Sequence, residues 1–201
     1  MDEGDVVDGV RGLDRRLLSV LHSRAADPRV ATAARGLSWV GEHGLLWLAA
    51  GLAGAAVDRE RRGVWLRGTA LTAGAHLASM GVKRVVRRPR PAHAAPLASR
   101  ALVTPPAPRA PFAPLAPLVR TAGRHSFPSS HASSAAAAVA VVAHGALGAP
   151  LLLPVVAPLA AAMCLSRLVA GVHYPSDVAA GVALGALTAR LGARWVVNGR
   201  G

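Results

Sequence analysis

The chain has 201 residues, of which 52% are hydrophobic and only 16% charged, with a mean hydropathy of +0.37 and a net charge of +13. That length implies one domain, and that apolarity fits several membrane spans rather than a soluble fold. Seven aromatic residues are too few for a single-strand nucleic-acid platform, and the lone Cys164 excludes an internal disulfide or a Cys-based zinc site.

The positive charge instead fits anionic lipid headgroups or a phosphate-bearing substrate, and nucleic acid is not expected as a partner. The start, Met1-Asp2-Glu3-Gly4-Asp5, is acidic, so no cleavable signal peptide is expected there and residues 1–10 are expected to fray. Leu13, Leu17, Leu18 and Leu21 make a helical stripe that predicts an amphipathic helical segment over 1–35, broken near Pro28. It suits either the membrane surface or the end of a helix bundle. Residues 36–197 then read as one membrane domain.

Five candidate spans follow: 36–57, 63–82, 129–147, 151–170 and 175–196. The fold class is therefore all-α, an integral membrane helical bundle of about five spans with an amphipathic helix in front. The second span ends at Lys83, the only lysine of the chain. Residues 84–125 form a long connection rich in Arg and Pro, and eight prolines from Pro91 to Pro117 exclude an uninterrupted helix. Such a loop reads as a flap over a site. Pro154 and Pro158 are expected to kink the fourth span, and Gly181 and Gly185 to let the fifth approach a neighbour closely.

Alternating span direction brings Lys83, Arg90, Ser129, Ser130, His131, Arg167, His173 and Asp177 to one membrane face. Their chemistry suits a phosphoryl group. Lys83, Arg90 and Arg167 supply cations, and the Arg fork matches phosphate oxygens. Pro128-Ser129-Ser130-His131 opens a span, so Ser129 can offer its hydroxyl and Ser130 its amide at a helix N-terminus. Asp177 is the only carboxylate side chain after Glu60. Four residues after His173, it can hold one imidazole nitrogen and leave the other free to attack phosphorus. His131 can protonate the departing oxygen. These cations already neutralise the phosphoryl oxygens, so no metal or other cofactor is called for. Arg84, Arg87 and Arg88 read as juxtamembrane basic residues that bind lipid or attract substrate. His76, His43 and Glu42 read as structural, His22, His93 and His144 as solvent or interface residues.

The segments Lys83-x6-Arg90-Pro91, Pro128-Ser129-Ser130-His131 and Ser166-Arg167-x5-His173-x3-Asp177 resemble the three signatures of the type 2 phosphatidic acid phosphatase (PAP2) superfamily. That superfamily includes bacterial lipid phosphatases and the vanadium haloperoxidases, and the likeness covers roughly residues 36–190. It implies a multi-pass protein of the bacterial plasma membrane that hydrolyses a lipid phosphate or diphosphate. His173 is then the nucleophile of a phosphohistidine mechanism, His131 the acid and Asp177 its orienting group. Lys83, Arg90, Ser129, Ser130 and Arg167 bind the phosphate. One departure is Ser130, where the usual signature has Gly; the backbone amide is retained.

Within the superfamily, Arg87-Arg88-Pro89-Arg90-Pro91 and Phe127-Pro128-Ser129-Ser130-His131 are similar to actinobacterial enzymes that act on decaprenylphosphoryl-5-phosphoribose. Polyprenyl phosphates or diphosphates are therefore the first substrate class. Phosphatidic acid or phosphatidylglycerophosphate is the next. Two other readings compete: a vanadium-dependent haloperoxidase, and a non-catalytic membrane protein that binds anionic lipids.

Overall fold

The computed structural model describes residues 3–94, 116–121, 123–143 and 150–198. They form eight α-helices in chain order: α1 (Glu3–Ser23), α2 (Pro28–Val40), α3 (Leu45–Val57), α4 (Arg62–Val86), α5 (Pro91–Ala94), α6 (Ser130–Ala143), α7 (Leu153–Val169) and α8 (Pro175–Asn198). Among the described residues there is no strand, only an isolated bridge between Pro89 and His125. Most of the segment read as a flap, and the turn after the third span, lie outside the described residues.

The helix boundaries have local causes. Asp27 caps α2 by accepting the amide of Arg29 at 2.8 Å, and Pro28 takes the first helical position. Helix α8 starts the same way. Pro175 opens it, and Asp177, three residues past Tyr174, reaches back to the Tyr174 amide at 2.8 Å. Contrary to expectation, residues 3–10 do not fray but belong to α1. The boundary expected after residue 35 falls inside α2.

The span expected at 36–57 is broken. His43 (φ 55°) and Gly44 (φ 74°) adopt left-handed conformations, and the chain bends by 47° between α2 and α3. By length and composition this bent pair can cross a membrane, whereas no single described helix is long and apolar enough to do so. The other four expected spans correspond to α4, α6, α7 and α8. Of these, α4 and α8 are long but carry charged residues, while α6 and α7 are apolar but short.

Helix α6 is the centre, packed on α8, α4 and α7. Its small side chains let it sit there: Ala132, Ser133, Ala135 and Ala137 are completely buried. Gly181 and Gly185 of α8 lie against its backbone, and a Cβ on them would sit 2.4 Å from Ser129 O and 2.1 Å from Ser133 O. Helix α1 docks across α7 and α8 at one end of the bundle, with Leu18 buried, while Leu13, Leu17 and Val20 stay exposed. The outward faces of the bundle are apolar too, as at Leu77, Val155, Leu187 and Leu191.

Candidate active site

A cavity of about 530 Å³ opens at the end of the bundle where α4 finishes and α6 and α8 begin. Six of the eight residues expected at the site line it: Lys83, Arg90, Ser130, His131, Arg167 and His173. They come from the last turn of α4, the strand-like stretch after it, the first turn of α6, the last turn of α7 and the turn before α8.

His173 is 1% exposed and sits between unlike charges. Its Nε2 lies 3.3 Å from Arg90 Nη1, and its Nδ1 lies 3.6 Å from Asp177 Oδ2. The second distance is too long for a hydrogen bond, so Nδ1 has no partner here. Burial holds the His173 pKa well below the ordinary histidine value, and the positive charges of Lys83, Arg90 and Arg167 push it the same way. The imidazole is therefore neutral at pH 7, with one ring nitrogen carrying a lone pair.

Arg90 is fixed by three carbonyl contacts rather than by an acid. Its Nε donates to Gly123 O at 2.7 Å, its Nη1 to Val172 O at 2.9 Å, and its own carbonyl strand is held by Arg90 N to Arg124 O at 3.1 Å. Lys83 Nζ donates to Ser126 O at 3.2 Å. Arg167 is buried, and its Nε has no hydrogen-bond partner. Among the described residues, none of these three cations has a carboxylate within ion-pair distance. Three buried or half-buried cations facing one cavity without an ion-pair partner are costly unless an anion completes them.

His131 also lines the cavity and donates from Nε2 to the carbonyl of Ser38 at 3.3 Å. Gly41 lies beneath it, where a Cβ would come 3.0 Å from His131 Cδ2. Ser129 is placed differently from the sequence expectation. It is fully buried outside the cavity lining, its Oγ accepts the Ala132 amide at 3.4 Å, and its amide donates to Asp177 O at 2.8 Å. It caps α6 and ties α6 to α8, with no hydroxyl directed at the cavity. Ser130, in contrast, does line it. Asp177 lies behind His173, completely buried.

Several contributors were not singled out from the sequence. Arg88 is no lipid-facing residue: it is half-buried, donates to Asp177 Oδ1 at 2.9 Å and to Asp14 Oδ2 at 2.7 Å, and stacks 4.1 Å over the Tyr174 ring. Glu42, His43, His76 and His125 all line the cavity, as do Arg35, Arg84 and Arg120 on its rim. His22 is an interface residue, as one of its two expected settings had it: its Nδ1 donates to Val169 O at 2.8 Å. No sequence signal marks these, because the residues they meet lie far along the chain. Among the described residues no three His, Cys, Asp or Glu side chains gather as a metal site.

Residues 64–200 match the PAP2 superfamily. A decaprenylphosphoryl-5-phosphoribose phosphatase of Mycolicibacterium smegmatis is 40% identical over 174 residues, covering 87% of this chain and 83% of that protein. Its namesake in Mycobacterium tuberculosis is 40% identical over 176 residues, covering 88% and 86%. A solved structure of similar fold is that of a transmembrane PAP2-type phosphatidylglycerolphosphate phosphatase from Bacillus subtilis. Its TM-score is 0.70 at 21% identity, covering 93% of this chain and 86% of that one.

Proposed function

The chain belongs to the PAP2 superfamily and is a phosphatase, and on that footing we propose that it removes the terminal phosphate of decaprenylphosphoryl-5-phosphoribose through a phosphohistidine on His173. The observation that carries the mechanism is the setting of His173, with Nε2 on the cavity beside Arg90 and Nδ1 backed by Asp177.

The chemistry follows from that setting. The phosphate monoester enters the cavity, and Lys83, Arg90, Arg167 and the Ser130 amide take its oxygens. The unpartnered Arg167 Nε is one donor ready for it. Nε2 of His173 attacks phosphorus, and the bond from phosphorus to the ester oxygen breaks. That oxygen leaves with a proton from His131. Imidazole phosphorylated at Nε2 is positive, with its proton on Nδ1, so the 3.6 Å gap to Asp177 closes as charge develops. Water, deprotonated by His131, then attacks the phosphohistidine and frees inorganic phosphate.

Support for the substrate is the 40% identity to phosphatases of that name over most of both chains. The rim adds to it: Arg35, Arg84 and Arg120 suit a second anionic group such as the internal phosphodiester of that lipid. We place the protein in the bacterial plasma membrane as a multi-pass protein. Its outward faces carry Leu77, Val155, Leu187 and Leu191, which water does not favour and acyl chains do. The lipid tail then enters from the bilayer while the headgroup meets the cations.

The test is phosphate release in detergent from decaprenylphosphoryl-5-phosphoribose, phosphatidylglycerophosphate and phosphatidic acid. The first should turn over with the highest kcat/KM, and an acid-labile phosphoprotein should appear in wild type and not in His173→Ala. Preference for either glycerolipid would overturn the substrate, and bromide oxidation with added vanadate would overturn the reaction class.

A further inference from the structure

Asp14 lies on α1, 50 residues before the first position that matches the family, yet it is only 3% exposed. Both oxygens are engaged at the start of α8. Oδ1 accepts the Ser176 amide at 2.9 Å; Oδ2 accepts the Ser176 hydroxyl and Arg88 Nη2, the latter at 2.7 Å. The Ser176 amide is one of the first-turn donors that a helix cannot satisfy internally. Arg88 spans the gap to the site: Nη2 on Asp14, and Nη1 on both Ser176 Oγ and Asp177 Oδ1. Asp177 is thereby divided, with Oδ1 on Arg88 and Oδ2 shared by the Tyr174 amide and the His173 side.

We propose that Asp14 is a positioning residue for the His173–Asp177 pair, acting through Arg88. The inference rests on the reading of His173 as nucleophile. An Arg fork left to one carboxylate closes on both of its oxygens, because two parallel bonds are stronger than one. Asp14 prevents this by holding Nη2, so Arg88 grips only one oxygen of Asp177. The other oxygen stays on the histidine side. The same carboxylate also fixes Ser176, the neighbour of Asp177, at the helix start. Helix α1 therefore contributes to catalysis without reaching the cavity: Asp14 does not line it.

The experiment is a double-mutant cycle on the purified full chain in detergent, with decaprenylphosphoryl-5-phosphoribose as substrate and kcat normalised to folded protein. Asp14→Asn keeps the size and an acceptor but lets Arg88 go; kcat should fall about tenfold, with KM changed less than about twofold. In an Arg88→Gln background the same substitution should do nothing further, since the fork it restrains is gone. Asp14→Glu, which keeps the charge, should recover most of the rate. A mere helix cap predicts otherwise: a lower melting temperature with wild-type kcat per folded molecule, or an equal rate loss in both backgrounds. Either result overturns the proposal. Should Asp14→Asn alone not fold, the charge-neutral pair Asp14→Asn/Arg88→Gln against Arg88→Gln decides it: equal kcat supports the coupling, and a further loss removes it. Turnover by His173→Ala would instead sink the nucleophile assignment. A dead His173→Ala beside a fully active Asp14→Asn sinks the positioning role alone.

Discussion

Helices α6 and α8 meet backbone to backbone, whereas α1 and α2 reach the same site only through side chains and single carbonyls. In the first region the contact is set by missing atoms: Gly181 faces Ser129 O and Gly185 faces Ser133 O. In the second it is set by polar groups placed one at a time, such as Asp14 on Ser176, Ser38 O on His131 and His22 on Val169 O. Close backbone packing fixes where the two histidine-bearing segments stand relative to each other. The polar contacts adjust the orientation and charge of groups already in place. Changes in the first region should therefore disturb both fold and rate, and changes in the second chiefly one of them.

The largest effect should come from the proposed reacting atom. His173→Ala removes the proposed nucleophile, and kcat should fall by roughly 10³-fold or more while the protein still elutes as folded. Initial rates with size-exclusion profiles check it. Gly181→Ala tests the backbone contact next. Its Cβ would lie 2.4 Å from Ser129 O, so α6 must shift, and a displacement near 1 Å beside His131 costs about 100-fold in rate. Thermal unfolding should fall by about 1–3 kcal/mol, since overpacking outweighs the helix propensity that Ala adds. A wild-type rate in Gly181→Ala would erase the distinction between the regions.

Gly171→Ala sharpens it from the other side. Gly171 has φ 70°, and its Cβ would meet His22 Nδ1 at 3.0 Å. The left-handed conformation alone should cost about 1–2 kcal/mol of stability, read as a lower melting temperature. The smallest effect is a pH dependence. The folded-state pKa of His173 is depressed by burial, so the folded protein binds fewer protons than the unfolded chain in acid. This contribution is fully present above the unfolded histidine value of 6.5 and is lost as pH falls below it, by at most about 1.4 kcal/mol per pH unit. Melting curves from pH 7 to pH 5 measure it, and His173→Ala should flatten the slope.

Much of the active end was legible beforehand because its residues are rare in their surroundings. One Lys, one late Asp and His-containing clusters at the ends of apolar runs mark themselves by contrast, and alternating helices bring them to one rim. Position in a motif does not say which way a hydroxyl turns, and Ser129 caps its own helix. The bend within the span expected at 36–57 was not legible, because composition does not register a left-handed pair such as His43 and Gly44. Arg88 looked like any arginine of a basic run, and Asp14 like any acid on an amphipathic helix.

The amino-acid order alone determined a helical bundle, the positions of its main apolar segments and the chemical character of its site, since hydrophobic periodicity and residue scarcity are local properties of the chain. Tertiary structure decided which cations stay without an ion pair, which of two arginines two positions apart faces the cavity, and that a carboxylate 163 residues before Asp177 shares its partner. Those outcomes depend on distances between segments far apart in sequence, and only packing brings such segments within the few ångströms over which charge and hydrogen bonding act.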